Sequence, residues 1–164
     1  MARVALIGSY LAVLAVCIVV AVLGPETMPA HFGADGSATR EQSRGAFAAT
    51  MAAISTAMLI LFLGMEQLLT RLPARMINLP GRERHRYWTA PERREQLNRT
   101  MAEDMQWIGT MSMLLLVGVV VSSVAGAESG RLPVPVLLTL IGVYLVAVLA
   151  YLWWMLRRRY RVPE

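Results

Sequence analysis

Four stretches of this chain contain no Asp, Glu, Lys or Arg, and each is long enough to cross a bilayer as a helix. They run from Val4 to Pro25, Gly45 to Met65, Met105 to Ala127 and Leu132 to Leu156, which is 22, 21, 23 and 25 residues. A helix rises about 1.5 Å per residue, so about 20 apolar residues suffice for a hydrocarbon core of about 30 Å. Lipid offers no partner for a bare backbone N–H or C=O, so a spanning segment must pair them within itself or within a closed barrel. These runs lack the two-residue polar alternation of barrel strands, which leaves helices. A mean hydropathy of +0.50 and a hydrophobic fraction of 56% agree with lipid as the solvent. The expected fold is therefore all-α, an integral membrane four-helix bundle. Its spans fall at about 4–24, 45–67, 105–126 and 133–156, with an outer loop at 25–44 and a partly helical cytoplasmic loop at 68–104. Arg3 ahead of an apolar stretch also suits a signal peptide, but the stretch is too long and no clean Ala-x-Ala site follows, so a retained span is expected.

Orientation follows from the arginines, which are all sixteen of the basic residues. With the N-terminus inside, thirteen of them fall on the inner side: Arg3, eight in the middle loop and four after the last span. Only Arg40, Arg44 and Arg131 fall outside. Short loops rich in arginine stay in the cytoplasm, so both termini are expected there in a multi-pass protein. Trp107, Trp153, Trp154 and Tyr160 would sit at the same headgroup layer, where amphipathic rings prefer to lie. The net charge of +5 then marks contact with the lipid bilayer. No nucleic-acid partner is expected, because the basic residues flank spans instead of forming a patch with interleaved aromatics. Cys17 is the single cysteine, which rules out an intrachain disulfide.

Within the middle loop, Thr89-Ala-Pro-Glu92 predicts a capping box, with the third helix starting near Pro91. Leu97, Met101, Met105 and Ile108 then share one face, while Glu95, Arg99 and Glu103 form an i,i+4 ladder. Small residues at four-residue spacing, Ala49, Ala53 and Ala57 and then Gly118, Ser122 and Gly126, predict close helix packing in a compact bundle or a homo-oligomer.

The uncharged stretches contain no Asp, Glu, Lys, Arg or His at all, which disfavours a proton-coupled transporter. The two histidines fall on opposite sides of the membrane, and neither a zinc-protease pair nor a nucleophile elbow is present. A non-enzymatic role is expected, with no cofactor and no metal. Residues 25–36 read PETMPAHFGADG. Pro25 and Pro29 fix φ and two glycines permit left-handed backbone, so the first reading is a rigid turn in which His31 is satisfied locally. The second is a ligand site: His31 shares its loop with Glu26, Asp35 and Glu41, and an imidazole near carboxylates can titrate in the physiological range. His85, among Arg82, Arg84 and Arg86, reads as part of a basic run against anionic lipid.

The segment from Pro25 to Gly36 resembles the P-x-x-I-P-x-H-F-x-x-x-G signature of a small bacterial membrane domain of unknown function. That domain also forms the N-terminal part of SdpI-type immunity proteins, which protect a cell from a secreted toxic peptide. A second element, INLPGRERHRYWTAPERRE at residues 77–95, resembles an N-x-P segment followed by Tyr-Trp and an Arg-rich helix start in short relatives. Pro25, Pro29, His31, Phe32 and Gly36 match the first motif; Asn78, Pro80, Tyr87, Trp88, Glu92 and Arg93 match the second. The resemblance implies a protein of the bacterial cytoplasmic membrane that binds a secreted peptide or envelope component and signals to a cytoplasmic regulator. Pro29, His31, Phe32 and Asp35 would face the ligand; Arg82, Arg84, Arg86, Tyr87, Trp88 and Arg93 would face the cytoplasmic partner or lipid. The alternative is an accessory subunit that packs against a membrane transporter.

Overall fold

A computed structural model describes residues 1–33 and 36–163. Each of the four uncharged stretches forms a helix. α1 spans Ala2–Leu23 and α2 Arg44–Leu63. A short α3, Met65–Arg71, continues from α2. α4 is Arg82–Thr89, α5 Arg94–Ser129 and α6 Val134–Trp154, which runs on into a π-turn at Met155–Arg159. Four of these helices are long and apolar enough to cross a membrane. The second is shorter than expected, because the α-helix breaks at Gly64. The third starts where the sequence places it, with a 3-10 turn at Pro91–Arg93 leading into α5. The expected capping box does not form: the Thr89 hydroxyl donates back to the His85 carbonyl at 2.7 Å, so Thr89 ends α4 instead of starting the next helix.

α5 is the central element and packs against α1, α2, α3, α4 and α6. Its 36 residues make a rod of about 54 Å. Its first turns extend ahead of the uncharged run that begins at Met105, and the middle loop folds around them. The bundle core lies where α1, α2 and α5 meet, with Leu6, Val13, Cys17, Ala48 and Met113 buried together. Close approach depends on the absence of a side chain at Gly109, where a Cβ would lie 2.7 Å from the Phe62 ring and 3.1 Å from Leu6. The small-residue row on α5 faces neighbouring elements, tightly at Gly118 and at ordinary contact distance at Gly126. A Cβ at Gly118 would meet Leu140 of α6 at 2.9 Å, and one at Gly126 would meet Phe32 and Leu132 at 3.4 Å. Ala49, Ala53 and Ala57 on α2 are exposed. α6 is peripheral and has no buried residue.

The expected loop at 25–44 is a β-hairpin, a departure from an all-α fold. β1, Thr27–Phe32, pairs antiparallel with β2, Ala38–Ser43. The register runs Thr27 to Ser43, Met28 to Gln42 and Pro29 to Glu41, then shifts twice, so that His31 faces Arg40 and Phe32 faces Ala38. A proline is tolerated because a two-stranded ribbon leaves one edge of each strand unpaired. Gly36 turns the chain with φ of 78°, a conformation that costs other residues about 1–2 kcal/mol. A two-stranded hairpin is marginal alone. This one is anchored by Met28, fully buried against Val20, Phe47 and Val120, and by its tip, where the Leu132 N–H donates to the Gly36 carbonyl at 2.9 Å. Ser43 closes it by capping α2, its hydroxyl accepting from the Ala46 N–H at 3.2 Å.

Candidate functional site

The hairpin stands at one pole of the bundle, and the middle loop meets the segment after α6 at the other. At the hairpin pole, Pro29 is buried and Phe32 half-buried against Gly126, so both hold the hairpin to the bundle. His31 is exposed, and its carbonyl accepts a hydrogen bond from the Thr39 hydroxyl at 3.3 Å. Asp35 lies outside the described residues. The structure therefore divides the expected ligand set: Pro29 and Phe32 face inward, and His31 is left on the surface opposite Arg40.

The opposite pole holds a polar cluster that sequence reading missed. Asp104 of α5 is completely buried and accepts hydrogen bonds from the Tyr151 hydroxyl at 2.8 Å and the Tyr160 hydroxyl at 2.7 Å. Arg159 lies 2.9 Å from the same carboxylate and also pairs with Glu103. An isolated buried carboxylate is strongly disfavoured, and three donors offset that cost here. The cluster clasps the segment after α6 to the start of α5. Tyr160, expected among the interfacial rings, is instead 1% exposed, because its hydroxyl must reach Asp104. Burial, and then its bond to Asp104, push the Tyr160 phenol above its ordinary value. Its carbonyl accepts from the Trp88 indole N–H at 3.1 Å, and the two rings pack edge to face at 5.7 Å. Ile77, Leu79 and Leu97 complete this second core. The loop is tied from its other side by Arg94, whose guanidinium donates to the Leu69 and Leu72 carbonyls at 2.9 and 2.6 Å.

The six residues expected to meet a cytoplasmic partner fall into different settings. Trp88 is 7% exposed and belongs to the second core; its indole holds the tail and offers no surface to a partner. Arg93 stacks over the Tyr87 ring at 3.9 Å, which turns that pair toward each other. Arg84 is half-buried. Arg82 and Arg86 are exposed and line an open cleft of about 560 Å³ with Leu79, Gly81, His85 and Thr89. The His85 Nε2 lies 3.2 Å from the Ala74 carbonyl. A carbonyl only accepts, so this contact makes Nε2 the protonated nitrogen.

A cue to Asp104 did exist in the sequence. It interrupts the apolar stripe of Leu97, Met101, Met105 and Ile108, and a carboxylate there needs a partner. The partners themselves are 47 and 56 residues away, beyond the reach of local pattern. No protein-family model, curated protein or solved structure matches the chain.

Proposed function

We propose that the chain is a multi-pass protein of the bacterial cytoplasmic membrane, of the SdpI-like type, with its hairpin outside and its arginine-rich pole in the cytoplasm. In this reading the hairpin binds a secreted peptide or an envelope component, and the loop and clasp pass the bound state to a soluble cytoplasmic partner. One observation carries it. α5 is a single unbroken helix that seats Phe32 at Gly126 near one end and holds the clasp through Asp104 near the other. A change in hairpin packing therefore reaches the opposite pole through one rigid rod, with no intervening hinge. The thirteen-to-three division of arginines supports that orientation. An accessory subunit of a transporter is the second reading, favoured by the outward-facing Ala49, Ala53 and Ala57, since small residues in lipid mark helix contacts.

Two measurements test the proposal. In a Cys17→Ala background, a cysteine at Thr39 reacts with an impermeant thiol reagent in intact cells, whereas one at Gln96 reacts only after permeabilisation. The reverse pattern inverts the orientation. In purified protein, Phe32→Ala raises amide hydrogen exchange in residues 82–93 and 155–161. Exchange that rises only around the hairpin removes the relay. Co-purification of a stoichiometric membrane partner with no change at the clasp favours the accessory role.

A further inference from the structure

We infer that the cleft on α4 is a binding site for the phosphate of an anionic lipid headgroup, gripped by Arg82 and Arg86 and completed by the backbone at Gly81. This rests on the membrane reading above but not on the relay, and it names a ligand for residues otherwise explained only as positive charge. Arg82, His85, Arg86 and Thr89 recur at helical spacing, so one face of α4 lines the cleft. A flanking face carries Trp88 into the second core, which fixes the helix in orientation. Among the described residues, neither Arg82 nor Arg86 makes an ion pair. Two guanidinium groups therefore stand four residues apart at the mouth of a cavity with their charge unmatched. Guanidinium forks suit phosphate oxygens, which accept two parallel N–H bonds from each.

The start of α4 adds to this. No side chain caps it, and its first residue follows Gly81, a lining residue with φ of 93°. The first N–H groups of a helix have no partner within it and favour an anion. His85 is held by the Ala74 carbonyl, so the cleft has one wall of fixed geometry. A phosphate of about atomic-cluster size leaves room to spare in about 560 Å³, enough for the glycerol backbone behind it.

Depth selects the lipid as the source. The Trp88 indole is bonded to the Tyr160 carbonyl, and the Tyr160 hydroxyl to Asp104, which directly precedes the uncharged run beginning at Met105. α4 is thus linked in two steps to the boundary of the apolar rod, the level at which headgroups lie. Glu83, the acidic residue of α4, does not line the cleft.

The test is lipid binding by the full chain reconstituted in phosphatidylcholine nanodiscs, titrated with phosphatidylglycerol and followed by native mass spectrometry. The wild type retains phosphatidylglycerol over phosphatidylcholine, and Arg82→Gln with Arg86→Gln lowers that retention about tenfold. Arg82→Lys with Arg86→Lys keeps the charge but loses the planar fork, and it too falls several-fold. Full retention by the lysine variant would show diffuse attraction and overturn a built site. A loss no larger than that of Arg157→Gln with Arg158→Gln does the same. Inorganic phosphate or glycerol phosphate stabilising the protein as well as the lipid does would assign the cleft to a soluble anion and overturn the lipid. The thermal stability of each variant in phosphatidylcholine alone separates lost binding from lost folding.

Discussion

Replacing Asp104 by Asn removes one negative charge and changes the shape of the side chain very little, so its effect isolates the clasp. The Asp104 side chain is 1% exposed and that of Arg159 is 23% exposed. Taking one partner from a buried pair costs about 3–5 kcal/mol, because the other charge is left uncompensated. Arg159 keeps Glu103 and some water, which places the expected cost at the low end, about 3 kcal/mol. Counting donors gives a similar figure. Three groups donate to the carboxylate, bonds to a charged group contribute about 1.5–3 kcal/mol each, and the Asn carbonyl retains part of them. For a domain of this size, about 3 kcal/mol lowers the melting temperature by about 6–12 °C. Cys17, buried at 4% exposure, gives a direct readout through a thiol-reactive dye that fluoresces as the bundle opens. Trypsin reads the clasp itself, since its release unfolds the π-turn and frees the backbone at the already exposed Arg157, Arg158 and Arg161 for cleavage. Glu95→Gln is the control: its side chain is 88% exposed, and such pairs contribute under about 1 kcal/mol. An Asp104→Asn protein that melts within about 2 °C of wild type and is trimmed no faster would refute the view that this carboxylate holds the tail.

Other expectations follow from the same geometry. Gly109→Ala pushes a methyl group into the Phe62 ring and costs about 1–3 kcal/mol, while Gly142→Ala, with nothing within 4 Å, is neutral or stabilising; thermal melts of the two variants decide this. Gly36→Val combines a left-handed φ with a Cβ 3.1 Å from Val134 and lowers the yield of folded protein, whereas His31→Gln on the exposed strand changes stability by under about 0.5 kcal/mol. The raised phenol of Tyr160 sets an alkaline limit. Its contribution is intact below the unfolded value of about 10 and falls above it, as the unfolded chain ionises and the folded one does not. Tyr160→Phe flattens that fall in a pH series of melting temperatures.

The four long helices were legible because absence of charge over more than twenty residues is a signal that needs no partner. The start of α5 was legible for a similar reason, since Pro91 acts through its own ring. The hairpin was not. ATREQS is polar with little β-propensity, and it pairs because Met28 on the neighbouring strand finds a pocket between Val20, Phe47 and Val120. Thr89 and Glu92 have the spacing of a capping box, yet the hydroxyl is spent on His85, a choice set by how α4 ends. Of the site, the basic character of α4 could be read directly. The separation of Trp88 and Tyr87 from Arg82 and Arg86 could not, because it depends on which face of α4 Tyr160 covers.

The peripheral position of α6 bears on how the protein is made. Leu6, Val13, Cys17, Ala48 and Met113 come from α1, α2 and α5, so the main core is complete before α6 leaves the ribosome. Until Tyr151, Arg159 and Tyr160 are synthesised, Asp104 is a carboxylate without those donors. A nascent or clipped chain therefore displays a feature that the finished one hides.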